Sequence, residues 1–247
     1  MIRLLAMREL RSLLSVPSTW FMLAVLQFIF AWFFLARLDA FLEVQPQLAQ
    51  VANAPGVTVF VAAPLYNTVA LLLMMLVPMF TMRLIAEERR NQTLALLLSS
   101  PLTSGQIVLG KFLGLFIFIC ALISGVPLML YTLALGTPLD HGLMLSNILG
   151  LLLLTASFIA LGLYVSTLTA QPIIAAIGAL AVLVGLWLAD IVATAEDSPW
   201  HLISPLSHFQ NFNSGLIDSS DVAFFVLFSA LFLLLAMKRL NNNRRYG

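Results

Sequence analysis

The residues best placed to do chemistry form one polar run, Glu87-Glu88-Arg89-Arg90, at the head of a connection that continues to Lys111. Two acids precede two bases, and Thr93, Leu94, Leu97 and Leu98 follow before Pro101. This order suits a helix over Glu87–Leu98, with acids toward its positive start, leucines on one side and Pro101 as its stop. Charges at the base and an apolar patch at the tip are the chemistry of docking rather than of catalysis. Thr103-x-x-Gln106 reads as a capping box that starts a second helix, so 87–110 is expected to form a projecting helical hairpin. The plainer alternative is a loop that hugs a membrane and has no partner.

Other chemistry-bearing residues lack company. Gly105-Gln106-Ile107-Val108-Leu109-Gly110-Lys111 matches the spacing of a phosphate loop, but Phe112 stands where a Ser or Thr would hold magnesium and no strand precedes it. Nucleotide binding by this chain is therefore not expected. His201 and His208, with Asp197, lack the spacing of zinc ligands. No His lies at membrane depth to activate Ser124, Ser157 or Ser166. Cys120 is the single cysteine, which excludes a disulfide framework and a thiolate cluster within the chain. No catalytic residue, bound cofactor or metal is expected.

The elements that carry these residues follow from composition. Of 247 residues, 61% are hydrophobic and 9% charged, against roughly 25% charged in ordinary soluble domains. A soluble enzyme, a nucleic-acid binder and a disordered scaffold are thereby disfavoured, and a net charge of +1 points to no nucleic-acid partner. Six apolar runs, near 20–38, 66–86, 112–135, 143–168, 173–194 and 222–237, each approach the roughly 20 residues that cross a bilayer as a helix. Charges occur only near their ends, at Arg37, Arg83 and Asp190. The expectation is a single all-α integral membrane domain over 1–247. The first run is read as a retained helix rather than a cleaved signal.

With both termini on one side, that side collects Arg3, Arg8, Arg11, Arg83, Arg89, Arg90, Lys111, Lys238, Arg239, Arg244 and Arg245, leaving only Arg37 opposite. The positive-inside rule makes that side cytoplasmic, and the hairpin with it. Residues 1–16 place Ile2, Leu4, Met7, Leu10 and Leu14 on an apolar face, with Arg3, Arg8 and Arg11 mainly opposite, the pattern of a helix lying in the inner headgroup layer. Pro17 separates it from the first span. Ala181, Gly185 and Ala189 recur every four residues in the fifth span, a face for close helix packing either within the subunit or against a second copy; Gly110-x-x-x-Gly114 is similar. Pro78 and Pro127 are expected to kink spans two and three. The outer connection 195–220, with Trp200, Phe209 and Phe212, fits short helices that dip into the outer leaflet before the last span.

At the hairpin the sequence resembles a known family. Glu87-Glu88-Arg89, Thr93-Leu94, Leu97-Leu98, Ser100-Pro101-Leu102-Thr103, Ile107 and Gly110-Lys111 are similar to the signature of ABC-2-type transporter permeases, and most similar to the gliding-motility-type branch. Gln92 departs from the Gly that many members carry, and Gln suits a continuous helix better. The resemblance implies a type V ABC exporter-like fold with a re-entrant outer segment, and a coupling role for Glu87, Glu88, Arg89, Arg90, Thr93, Leu94, Leu97, Leu98 and Pro101. It implies a dimer of permeases in a bacterial inner membrane, bound to two copies of a cytoplasmic ABC ATPase that holds the ATP and magnesium. The function so implied is outward movement of a substrate, driven by hydrolysis in that separate chain.

A membrane interior without deep charges argues against a self-powered pump, since proton relays and ion pairs are missing. Two other functions stay open at this point. One is a mechanotransmitter that passes force to an extracytoplasmic auxiliary protein through 39–64 and 195–220; the other is a passive channel or scaffold, which leaves the hairpin unexplained.

Overall fold

The computed structural model describes residues 1–48, 56–94, 102–192 and 203–246, and within these the secondary structure is helical. Helix α1 spans Ile2–Ser15 and ends at Val16, whose extended backbone hands the chain to Pro17. Pro17, lacking an N–H, takes the first position of α2 (Pro17–Leu48), where that donor would be unused. The Trp20 indole N–H closes the corner by donating to the Leu14 carbonyl at 2.8 Å. There follow α3 (Thr58–Arg90), α4 (Ser104–Leu135), α5 (His141–Leu168), α6 (Pro172–Val192), the short α7 (Pro205–Asn213) and α8 (Ser219–Tyr246). Six of these, α2 to α6 and α8, are long and apolar enough to cross a membrane.

The helices outrun the apolar runs that define them. The stretch 39–64, expected as an outer connection, is helical to Leu48 and again from Thr58. Once a helix is nucleated, each added residue gains a backbone bond, so Phe41 and neighbours extend α2 past its apolar segment. The fourth and fifth spans fall within a few residues of expectation.

At the centre, α3 and α5 are the most enclosed helices, and α2, α6 and α8 form the flanks. Large apolar side chains on those flanks face outward, Phe21 at 74%, Ile173 at 68% and Leu227 at 69% exposure. In water such faces would drive aggregation; hydrocarbon removes that cost. Close approach is set by small residues. A Cβ on Gly162 of α5 would run into the Thr81 side chain of α3, and one on Gly150 would lie 2.5 Å from the Phe212 Cβ on α7. Between α3 and α4, Phe80 meets Phe118 edge-to-face at 5.2 Å.

The two prolines behave differently. The ladder of α4 is interrupted at Ser124, three residues before Pro127, and the Gln27 amide of α2 donates to the Leu122 carbonyl there. Around Pro78 the helix runs unbroken from Ala63 to Met82, and the interruptions of α3 lie at its ends, as π-helical turns at Thr58–Ala62 and Arg83–Glu87.

Candidate functional site

The C-terminal end of α3 carries the polar run singled out in the sequence. At Arg83–Glu87 the helix widens into its π turn, which takes the Ile85 and Ala86 N–H groups out of the α-helical ladder. The Ser166 hydroxyl of α5 fills this gap. It accepts from Ile85 N–H at 3.2 Å and Ala86 N–H at 3.0 Å, and donates to the Met82 carbonyl at 3.2 Å. One donor and two acceptors are all a hydroxyl has, so a fully buried Ser166 is fully used. The contact that ties α3 to α5 is thus made to backbone rather than to a side chain.

Beyond the turn, Glu88 points inward. Its carboxylate meets the Lys111 ammonium of α4 at 2.8 Å, and the same ammonium meets Glu9 of α1 at 3.3 Å. The Lys111 side chain is 9% exposed, and the Glu9 and Glu88 side chains are 22% and 25% exposed. One cation shared by two acids therefore joins α1, α3 and α4. Helix α1 can come close enough because α4 presents glycines: a Cβ on Gly110 would press on Leu5, and one on Gly114 on Glu9 and the Ala6 carbonyl. Beside this cluster opens a cleft of about 310 Å³, with Arg8 and Arg83 on its walls.

The expected helix over Glu87–Leu98 is not continuous. It ends at Arg90 in a Schellman motif: Gln92 N–H donates to the Arg89 carbonyl, and Thr93 N–H reaches back to the Glu88 carbonyl at 3.0 Å. Gln92 holds the left-handed position of that motif, with φ of 58°. The expectation that Gln there favours a helix is thereby overturned, because the position is one where Gly costs least. Thr93 adds a hydroxyl bond to Glu88 O, and Leu94 is buried against the core at 7% exposure. Glu87 and Arg90 are exposed and Arg89 is half-buried. Leu97, Leu98 and Pro101 lie outside the described residues.

The returning arm matches expectation. Thr103 and Gln106 form the reciprocal capping box, at 3.1 and 3.2 Å, and α4 starts directly after it. The segment resembling a phosphate loop is thus an α-helix, with its lysine already engaged by Glu9 and Glu88.

Of the small residues in α6, Ala181 and Gly185 face outward, a Cβ on Gly185 meeting nothing within 4 Å, and Ala189 is half-buried. The buried face of α6 is Ala175, Ala179 and Leu183, so the stripe is not used for packing within the subunit, whereas Gly110 and Gly114 are. At the opposite end of the bundle, α7 buries Leu206, Phe209 and Phe212, and its His208 meets Asp221 of α8 at 2.6 Å while stacking on Phe224. His201 and Asp197 lie outside the described residues.

Sequence reasoning missed Glu9 and the positions Lys111 and Ser166 take in the site. A lysine within a membrane helix, one residue after a glycine that admits a neighbour, was the available signal for a buried pair.

Comparison with known proteins gives one family. The model for the ABC-2 family transporter protein matches residues 4–242. No curated protein matches the chain.

Proposed function

The chain belongs to the ABC-2 family of transporter proteins, and from that premise we propose that it is the membrane permease subunit of an ATP-driven exporter. It is a multi-pass protein of a bacterial inner membrane with both termini cytoplasmic. Hydrolysis takes place in a separate ABC ATPase, which binds ATP and magnesium and docks on the spur 87–110. The gliding-motility-type branch and the type V arrangement, with α7 as a re-entrant helix, complete the reading.

The observation that carries it is how the spur is seated. A free loop needs no anchoring, yet the base of this one is bonded to α5 through Ser166 and to α1 and α4 through Lys111. A displacement applied at the base, Arg83–Glu88, therefore reaches three helices of the bundle directly, α5 through Ser166 and α1 and α4 through Lys111. Arg89, Arg90 and Glu87 supply the charged rim toward the ATPase, and Leu97 and Leu98 its apolar tip; Glu88, Thr93 and Leu94 hold the rim in place from within. A second permease copy packs along the α6 stripe of Ala181, Gly185 and Ala189, where Ala181 and Gly185 face outward and a Cβ on Gly185 would meet nothing within 4 Å.

The test is co-purification. A permease carrying both Arg90→Glu and Leu97→Asp, extracted in mild detergent, is expected to lose its ATPase subunits at least about tenfold, the cost of a reversed charge and a buried carboxylate. Retention at the wild-type level, by a variant that still runs as a folded protein, contradicts the reading.

A further inference from the structure

We propose that the notch between the start of α4 and the last turns of α8 binds the phosphate of an anionic phospholipid, with one acyl chain in the groove that climbs α8. The notch is about 560 Å³ in volume. On one side it presents the first turn of α4, whose ladder runs 20 residues from Ser104 to Ile123 before the interruption at Ser124. The capping box engages the Thr103 and Gln106 N–H groups, and Ile107 begins the ladder, which leaves Ser104 and Gly105 N–H at the positive end of the helix. Ser104 lines the notch, is 9% exposed, and its buried hydroxyl has no hydrogen-bond partner among the described residues.

The facing wall is cationic. Lys238 is exposed and makes no ion pair among the described residues, and Arg244 is held at the rim by its bond to the Leu102 carbonyl at 2.9 Å. No carboxylate lines the notch among the described residues, so nothing there suits the ammonium of a zwitterionic headgroup. The Lys238 ammonium and a helix N-terminus select an anion.

What selects a lipid is the continuation. Leu234 forms one edge of the notch and also the lower edge of a groove of about 510 Å³ lined by Phe224, Leu227, Phe228, Ala230, Leu231 and Leu234. From Phe224 to Leu234 the helix rises about 15 Å, about half the thickness of the hydrocarbon layer. A free phosphate would fill the notch and leave the groove unused; a phospholipid fills both.

The experiment uses the full chain, delipidated in mild detergent, with lipid adducts counted by native mass spectrometry. Phosphatidylglycerol is expected to stay bound where phosphatidylcholine does not, and millimolar inorganic phosphate is expected to leave it in place. Lys238→Gln should lower phosphatidylglycerol retention roughly 5-fold, the worth of one basic residue beside an anionic lipid. Leu231→Trp, which fills the groove, should lower it as well, while Arg37→Gln at the opposite end should change nothing. Equal retention of the two lipids, no effect of Lys238→Gln, or displacement by phosphate alone overturns the assignment. Should Leu231→Trp fail to fold, the exposed Lys238 still decides the matter.

Discussion

The two ends of the bundle are fastened by different means. At the end that carries α7, that helix is held by close packing backed by hydrogen bonds: Phe212 and Phe209 crowd Gly150 of α5, the Ser146 hydroxyl donates to the Phe212 carbonyl at 2.8 Å, and His208, paired with Asp221, stacks on Phe224. Asn211 gives Asp221 a second donor at 2.9 Å, and the carboxylate is 2% exposed. At the other end, the base of the spur is held by a lysine shared between two carboxylates and by a hydroxyl set into a π turn. Dense packing has one low-energy arrangement, because interiors deform little. Hydrogen bonds to a π turn have a near alternative, since one residue of register converts it to an α-helix and turns everything beyond it by about 100°.

Substitutions at the two ends should therefore fail differently, and the largest effect belongs to the end that carries α7. Gly150→Leu forces a side chain into the Phe212 ring and should destabilise the fold by about 3 kcal/mol or prevent insertion, seen as loss of the monodisperse species in thermal unfolding. Lys111→Met comes next, leaving Glu9 and Glu88 without their cation. The expected cost is about 2–3 kcal/mol, the low side for a broken buried pair because the Glu9 and Glu88 side chains keep about a quarter of their surface in solvent. Lys111→Met combined with Glu9→Gln and Glu88→Gln should recover most of that loss in the same melt. Ser166→Ala removes one oxygen and strands two N–H groups, for about 1–3 kcal/mol. Its mark is functional: ATPase activity with the partner should persist while substrate movement per ATP falls, and equal loss of both would reduce Ser166 to a structural role. The smallest change has the opposite sign. Gln92→Gly relieves a left-handed glutamine and should stabilise the spur by about 0.5–1 kcal/mol, read as slower hydrogen exchange at Gln92 and Thr93.

How legible these ends were depends on the range of the interactions that make them. The spans, the Pro17 break, and the Thr103–Gln106 cap are local patterns of hydropathy or spacing, and the sequence shows them. The Schellman motif at Arg90 is local too, but its usual marker is glycine, and Gln92 conceals it. The bond from Lys111 to Glu9 joins residues 102 apart, and Ser166 meets Ile85 across 81. No periodicity records a contact between helices that far apart in the chain. The π turn has no composition of its own, so Ser166 looked like one more small polar residue in an apolar run. The sequence also left open which face of α6 was free; packing of Ala175, Ala179 and Leu183 against the bundle decides it.

The central claim is that the spur at the inner end of α3 meets a cytoplasmic ATPase, and a photo-crosslinking residue placed at Arg90 tests it most directly. Irradiation of intact cells should give an adduct between the permease and its ATPase subunit, while the same residue at Leu135, exposed at the other end of α4, should give none. An ATPase adduct at Leu135 and not at Arg90 would contradict the account.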